Sequence, residues 1–316
     1  MKIDPQVSAL LTAIEAAGRP PVNKLPVDFA RDMIETGYAQ MNCPVKDVFS
    51  IENRNIQTSG GDLPIRIYKP SGKESLPVLL FIHGGGWVLF QLDAYDSICT
   101  HLCAEAACIV VSVDYRRSPE YKFPSALDDC MDAVQWVVDN AQSFGGDPAN
   151  IIVAGDSAGG NLAASVALRL RNEEGPKIAG QVLIYPVTNY LEPPTPSMKE
   201  FAEGYSLTYD AMKWFWGHYL ENISDAKHPY VSPLKADDLS HLPDALVLVS
   251  GFDPLCDEGV DYANRLNEAG CKVTLCRYDD MIHGFLSYLG YIDRANVAIT
   301  EICSWLQDRF EIPKKK

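Results

Sequence analysis

Two periodicities divide the chain. In the opening stretch Val7, Leu10, Leu11 and Ile14 fall at i, i+3, i+4 and i+7, one apolar face of a helix, and helical patterning is expected over roughly residues 1–45. From about residue 63 the period changes to two: Ile65 and Ile67 alternate with Arg66 and Tyr68, as in a strand with one solvated face. Short apolar runs follow at 78–82, 109–113, 151–154, 182–185 and 246–249, and a late strand is expected at 273–278. Near-continuous apolar runs of this length suit parallel strands covered on both faces. Between them lie helix-like segments near 97–107, 126–141, 158–171 and 259–269, and Ile299, Ile302, Leu306 and Phe310 mark one face of a final helix. Strands alternating with helices predict an α/β fold built on a doubly wound, mostly parallel sheet.

One region breaks the alternation. From Asn189 to about Asp225 there is no strand signal, only the Pro-rich Glu192-Pro193-Pro194-Thr195-Pro196 and then Met212, Phe215, Trp216 and Tyr219 at helical spacing. The insertion follows a strand's carboxyl end, where open α/β sheets place their sites. An aromatic lid over a pocket, packed against the N-terminal helices, is therefore expected in preference to plain core packing.

Composition narrows the class. A chain of 316 residues with 47% hydrophobic and 22% charged residues is compatible with one large core. Its net charge of −15 disfavours nucleic acid and anionic membrane surfaces as partners. Met1-Lys2-Ile3-Asp4-Pro5 lacks the layout of a secretory signal, and no apolar run is long enough to span a bilayer. The nine cysteines form no CxxC pair and are expected to be reduced, mostly buried thiols of a cytoplasmic protein, without a metal. Lys314-Lys315-Lys316 is expected to be a frayed, solvated tail.

The candidate chemistry centres on Gly155-Asp156-Ser157-Ala158-Gly159, a G-x-S-x-G sequence led in by an apolar run and led out by an alanine-rich helical pattern. Strand, turn and helix with serine at the apex make a nucleophile elbow, in which glycines on either side let strand and helix approach closely. A serine hydroxyl needs a base near neutral pH. Of six histidines (His83, His101, His218, His228, His241 and His283), only His283 follows the late strand. The acid should stand after a preceding strand, and Asp253 ends the run at 246–249; Asp257 is the alternative, while Asp279 and Asp280 are expected in a solvated turn. His83-Gly84-Gly85-Gly86-Trp87 follows the strand at 78–82 and suits an oxyanion loop, with the Ala158 N–H as a further donor. His83 is expected to fix this loop by hydrogen bonding. A phosphate-binding reading fails for want of GxGxxG spacing or a following Lys-Ser/Thr.

Together these motifs resemble the hormone-sensitive-lipase-like esterases, bacterial family IV, of the α/β-hydrolase superfamily. The likeness runs from about Leu79 to Phe285 and also includes Val113-Asp114-Tyr115-Arg116, Asn161-Leu162-Ala163 and Asp253-Pro254-Leu255-Cys256-Asp257-Glu258-Gly259. The resemblance implies serine carboxylesterases for short- to medium-chain esters, with no cofactor and often dimeric. It implies Gly85, Gly86 and Ala158 as oxyanion donors and Ser157, Asp253 and His283 as a triad. It also implies a helical cap made of residues 1–45 and 188–225, over a core of 46–187 and 226–316. Arg117-Ser118-Pro119-Glu120 stands where the family has Leu-Ala-Pro-Glu, and Phe90 where it commonly has a small residue. The Phe90 ring is expected either to enter the pocket and shorten the acyl chain accepted, or to pack outward as core. A ligand-binding receptor on the same scaffold would be expected to have lost a triad member, and all three are present.

Overall fold

The computed structural model describes residues 2–41 and 43–312. The Lys314-Lys315-Lys316 tail lies outside them.

Eight strands form one sheet in the order β1-β2-β4-β3-β5-β6-β7-β8. They are β1 (Ser50–Thr58), β2 (Gly61–Lys69), β3 (Leu76–Ile82), β4 (Ile109–Val113), β5 (Gly146–Asp156), β6 (Gly180–Ile184), β7 (Ala245–Phe252) and β8 (Val273–Ile282). β1 and β2 pair antiparallel, β2 pairs antiparallel with β4, and the other pairings are parallel. The apolar runs became these central strands, and β3, β4, β6 and β7 are buried along nearly their whole length.

Alternate residues feed two cores. Val78, Leu80 and Ile82 of β3 face one cluster; Leu79 and Phe81 face the other. The first is closed by α4 (Ser125–Asn140), α5 (Ala158–Asn172) and α8 (Cys256–Glu268), through residues such as Val134, Leu162 and Leu266. The second is closed by α3 (Asp96–Ala106) and α9 (Asp293–Arg309), through Leu102 and Ile299. Each such side chain contributes about 1.5–3 kcal/mol by leaving water. All nine cysteines are free thiols, seven of them buried. Among the described residues no helix is long and apolar enough to cross a membrane.

Three local expectations need correction. β1 was not expected, because Ser50–Thr58 is mostly polar; it exists as an edge strand whose Ile56 is buried opposite Leu63. β8 runs on to Ile282, so Asp279 and Asp280 lie in a strand and not in a turn. They pair with Arg277 and Arg294. The helix expected at 259–269 begins earlier, at Cys256.

At the N-terminus, α1 (Pro5–Ala16) starts with Asp4 accepting from the Gln6 N–H at 2.7 Å and with Pro5 at the first helical position. α2 (Val27–Met41) follows. Of the apolar face of α1, Val7 is fully buried, Leu10 and Leu11 are partly buried against the second core and Ile14 is 43% exposed, so burial falls off along the helix. In the insertion, α6 (Pro196–Glu200) and α7 (Tyr209–Tyr219) form, and α7 lays Trp216 and Tyr219 against Trp87, with Tyr219 stacked at 4.1 Å.

Candidate active site

Ser157 stands between β5 and α5 with φ +54° and ψ −119°, a strained backbone for a residue with a side chain. Three hydrogen bonds hold it: its N–H donates to Ile184 O at 2.8 Å, and its carbonyl accepts from Val187 N at 3.2 Å and Asn161 N at 3.0 Å. The flanking glycines are required by space. A Cβ at Gly159 would run into the carbonyls of Ile82 and His83, and one at Gly155 into the carbonyl of Gly159. The strand-turn-helix therefore closes only with glycine at both places.

The carboxyl ends of β5, β7 and β8 bring together Ser157, Asp253 and His283. His283 Nε2 lies 2.9 Å from Ser157 Oγ, and His283 Nδ1 lies 2.8 Å from Asp253 Oδ2. An ionised carboxylate can only accept, so the Nδ1 proton points to Asp253 and a bare Nε2 faces the hydroxyl. Asp253 is fully buried, and its second oxygen accepts from Leu255 N at 2.9 Å. The alternative acid, Asp257, is turned away and accepts from Ser197 N at 2.8 Å.

On the other side of Ser157 lies the glycine loop after β3. His83 Nδ1 lies 2.9 Å from Gly84 O, which also accepts from the Tyr115 hydroxyl at 3.3 Å. In a trans peptide the carbonyl and the next N–H point in opposite directions. Holding Gly84 O therefore turns the Gly85 N–H the other way. The same logic repeats one residue on, because Gly85 O accepts from Val88 N at 3.1 Å and Leu89 N at 2.9 Å. Gly85 and Gly86 take φ +96° and +61°, which glycine adopts without penalty. The Phe215 ring lies on Gly86 so closely that a Cβ there would overlap it. Ala158 is the first residue of α5, so its N–H has no place in the helix's own ladder.

These groups open into a cavity of about 540 Å³, lined by Ser157 and His283 together with residues of α1, α2 and α7, among them Leu10, Ile34, Tyr38 and Phe215. That volume suits a small organic molecule. Phe90 also lines it, 8% exposed, edge-on to Tyr38 at 4.7 Å, and with φ +70°. The two positions that depart from the family pattern both meet α2 or the cavity. Arg117 bonds Glu35 of α2 at 3.2 Å, and the neighbouring Glu120 takes both guanidinium arms of Arg31 at 2.7 Å.

Sequence reasoning missed four residues of this region: Asp156, Tyr95, Tyr115 and Glu258. None carries a local signal beyond its place in a motif, because each acts on a partner distant in sequence. Glu258 of α8 is fully buried; its Oε1 accepts from Thr188 N at 2.6 Å and Asn189 N at 3.1 Å. Burial pushes its carboxyl from an ordinary 4.5 up to about 8, against the pull of those two N–H groups. The folded chain therefore keeps a proton that the unfolded chain has released, and stability falls as pH rises from the unfolded value through about 8. Glu258→Gln, which mimics the neutral acid, is expected to flatten this fall. Thermal melts should show the variant gaining on wild type between pH 5 and pH 9, and a difference independent of pH would refute the assignment.

A family model for the α/β-hydrolase fold matches residues 79–287. The carboxylic ester hydrolase LipN of Mycobacterium tuberculosis is 42% identical over 243 residues, 75% of this chain and 64% of that protein, so the match spans just under two thirds of LipN. Ethyl acetate hydrolase of Pseudomonas putida is 34% identical, over 97% of this chain and 99% of that protein. Among solved structures, the ester hydrolase EH1AB1 from the Lake Arreo metagenome superposes with a TM-score of 0.95 at 37% identity, covering 98% of this chain and 99% of that one. The chain belongs to the α/β-hydrolase family, in its hormone-sensitive-lipase-like carboxylesterase branch.

Proposed function

We propose that the chain hydrolyses short- to medium-chain carboxylic esters through an acyl-enzyme on Ser157. The observation that carries this reading is His283 spanning Ser157 at 2.9 Å and Asp253 at 2.8 Å at the floor of the cavity. Ser157 Oγ attacks the ester carbonyl while His283 Nε2 takes its proton. The N–H groups of Gly85, Gly86 and Ala158 receive the oxyanion, where one donor is worth about 10²–10³ in kcat. Asp253 holds the imidazole's tautomer and stabilises the imidazolium. His283 then protonates the leaving alcohol, and water repeats the cycle on the acyl-enzyme. The same groups serve lactones and amides, so the ester preference rests on the family.

Residues 1–45 and 188–225 act as a cap, with α1, α2 and α7 supplying the apolar wall around the substrate. Phe90 limits the acyl chain. Its ring occupies cavity space, and its positive φ is a conformation that glycine adopts freely. The test is an acyl-length series of nitrophenyl esters, read as kcat/KM, on wild type and on Phe90→Gly. Wild type should turn over butyrate esters well and fall off with length, and the variant should gain on the longer chains by about tenfold, the worth of one or two methylenes in an apolar pocket. Absence of ester turnover would refute the function; an unchanged length profile would make Phe90 a packing residue only.

A further inference from the structure

Next to Ser157 sits a carboxylate that the chemistry above leaves unused. Asp156, the last residue of β5, is 3% exposed. Its Oδ1 accepts from the Gly84 N–H at 2.8 Å, and its Oδ2 accepts from the Tyr95 hydroxyl at 3.1 Å. Tyr95 closes the triangle, its oxygen accepting from the same Gly84 N–H at 2.9 Å. A Cβ on Gly84 would stand 2.7 Å from Asp156 Oδ2 and 3.0 Å from the Tyr95 oxygen, so the backbone is pressed against the pair.

We propose that Asp156, braced by Tyr95, is a positioning residue for the oxyanion hole: through the Gly84 N–H it anchors the His83–Gly84 peptide, from whose far end the next peptide, with its Gly85 N–H, is aimed. The inference rests on reading Gly85, Gly86 and Ala158 as the oxyanion donors. Tyr115 and His83 hold the carbonyl of the Gly84–Gly85 peptide, and Asp156 holds the N–H of the preceding His83–Gly84 peptide, so the peptides on both sides of the Gly84 Cα are fixed and the Gly85 N–H keeps its direction. Asp156 is also bonded covalently to Ser157. The brace therefore joins the glycine loop after β3 to the elbow that carries the nucleophile and the Ala158 N–H, two arms that must keep a fixed spacing for both to reach one oxygen.

Only a carboxylate accepts at both oxygens, and a charged acceptor makes the stronger bond. Burial pushes the Asp156 carboxyl up to about 6, while the Tyr95 hydroxyl, His283 and the Gly84 N–H favour its charged form. The phenols of Tyr38, Tyr95, Tyr115 and Tyr185 and the His283 imidazole are the titratable groups that face it.

The test compares Asp156→Ala, Asp156→Asn and Tyr95→Phe with wild type. Rates are expressed per active site, titrated by the burst of nitrophenol, and affinity is measured for a trifluoromethyl ketone, which adds to serine as a tetrahedral oxyanion. Asp156→Ala should lower kcat by about 10–10²-fold, less than outright loss of a donor, with KM little changed. Affinity for the ketone should fall by the same factor. Asp156→Asn should recover most of the loss, because its amide oxygen accepts from Gly84 N–H while its NH₂ donates to the Tyr95 oxygen. Tyr95→Phe, which keeps the Asp156 bond to Gly84, should cost a few-fold in the same two readouts and carries the test if the alanine variant does not fold. A purely structural role would reduce the number of active sites and leave the rate per site and the ketone affinity at wild-type values; that result in the folded variants overturns the proposal. Failure of wild type to release nitrophenol would instead overturn the esterase reading itself.

Discussion

Ser157→Ala is expected to lower ester turnover by about 10⁴–10⁶-fold while the protein stays folded, the range seen when a nucleophilic serine is removed from a triad. The activity should vanish because the alanine methyl cannot form the acyl bond, and the residual rate would come from the oxyanion donors acting on attacking water. The fold should survive because the hydroxyl faces the cavity and its hydrogen-bond partner among the described residues is His283. The backbone at 157 is held by Ile184, Val187 and Asn161 through main-chain atoms that the substitution leaves alone. Alanine inherits the strained φ of serine unchanged, so no large stability difference is expected. Steady-state kinetics on a nitrophenyl ester, beside a thermal melt, checks both halves. A folded variant with turnover near wild type would show that the acyl group passes elsewhere.

The parts of this protein that could be read from sequence are those specified by neighbours along the chain. The G-x-S-x-G elbow is such a part: the steric demand at Gly155 and Gly159 comes from the strand and helix they join and from the adjoining end of β3. The central strands were legible because burial on both faces leaves an unbroken apolar run. β1 was not, since an edge strand solvated on most of its surface needs few apolar residues. Asp156 illustrates the other limit. In sequence it is the variable position of a motif, and its chemistry comes from Tyr95 and Gly84, 61 and 72 residues away. The direction of Phe90 was likewise undecidable, because it depends on Tyr38 of α2 arriving edge-on to its ring. Arg117, an unexplained departure in the motif, finds its reason in Glu35 of that same helix.

Asp253→Asn is expected to lower kcat by about 10⁴-fold at neutral pH with little change in KM. The side chain keeps its shape, and its oxygen can still accept from Leu255 N, so the loop after β7 should stay in place. What changes is the atom facing His283 Nδ1. A carboxylate oxygen there accepts the Nδ1 proton at 2.8 Å and leaves Nε2 bare toward Ser157. With the amide oxygen committed to Leu255 N, the NH₂ faces the imidazole and donates. Nδ1 must then be the acceptor, which moves the ring proton to Nε2. His283 would offer Ser157 a donor where the reaction needs a base, and the imidazolium would lose the counter-charge of the buried carboxylate. Because the substrate cavity is untouched, the loss should appear in kcat and not in KM. Asp257→Asn is the control: its carboxylate bonds Ser197 N and lies outside the triad, so turnover should stay near wild type. If Asp257→Asn proved the more damaging of the two, the acid would have to be reassigned.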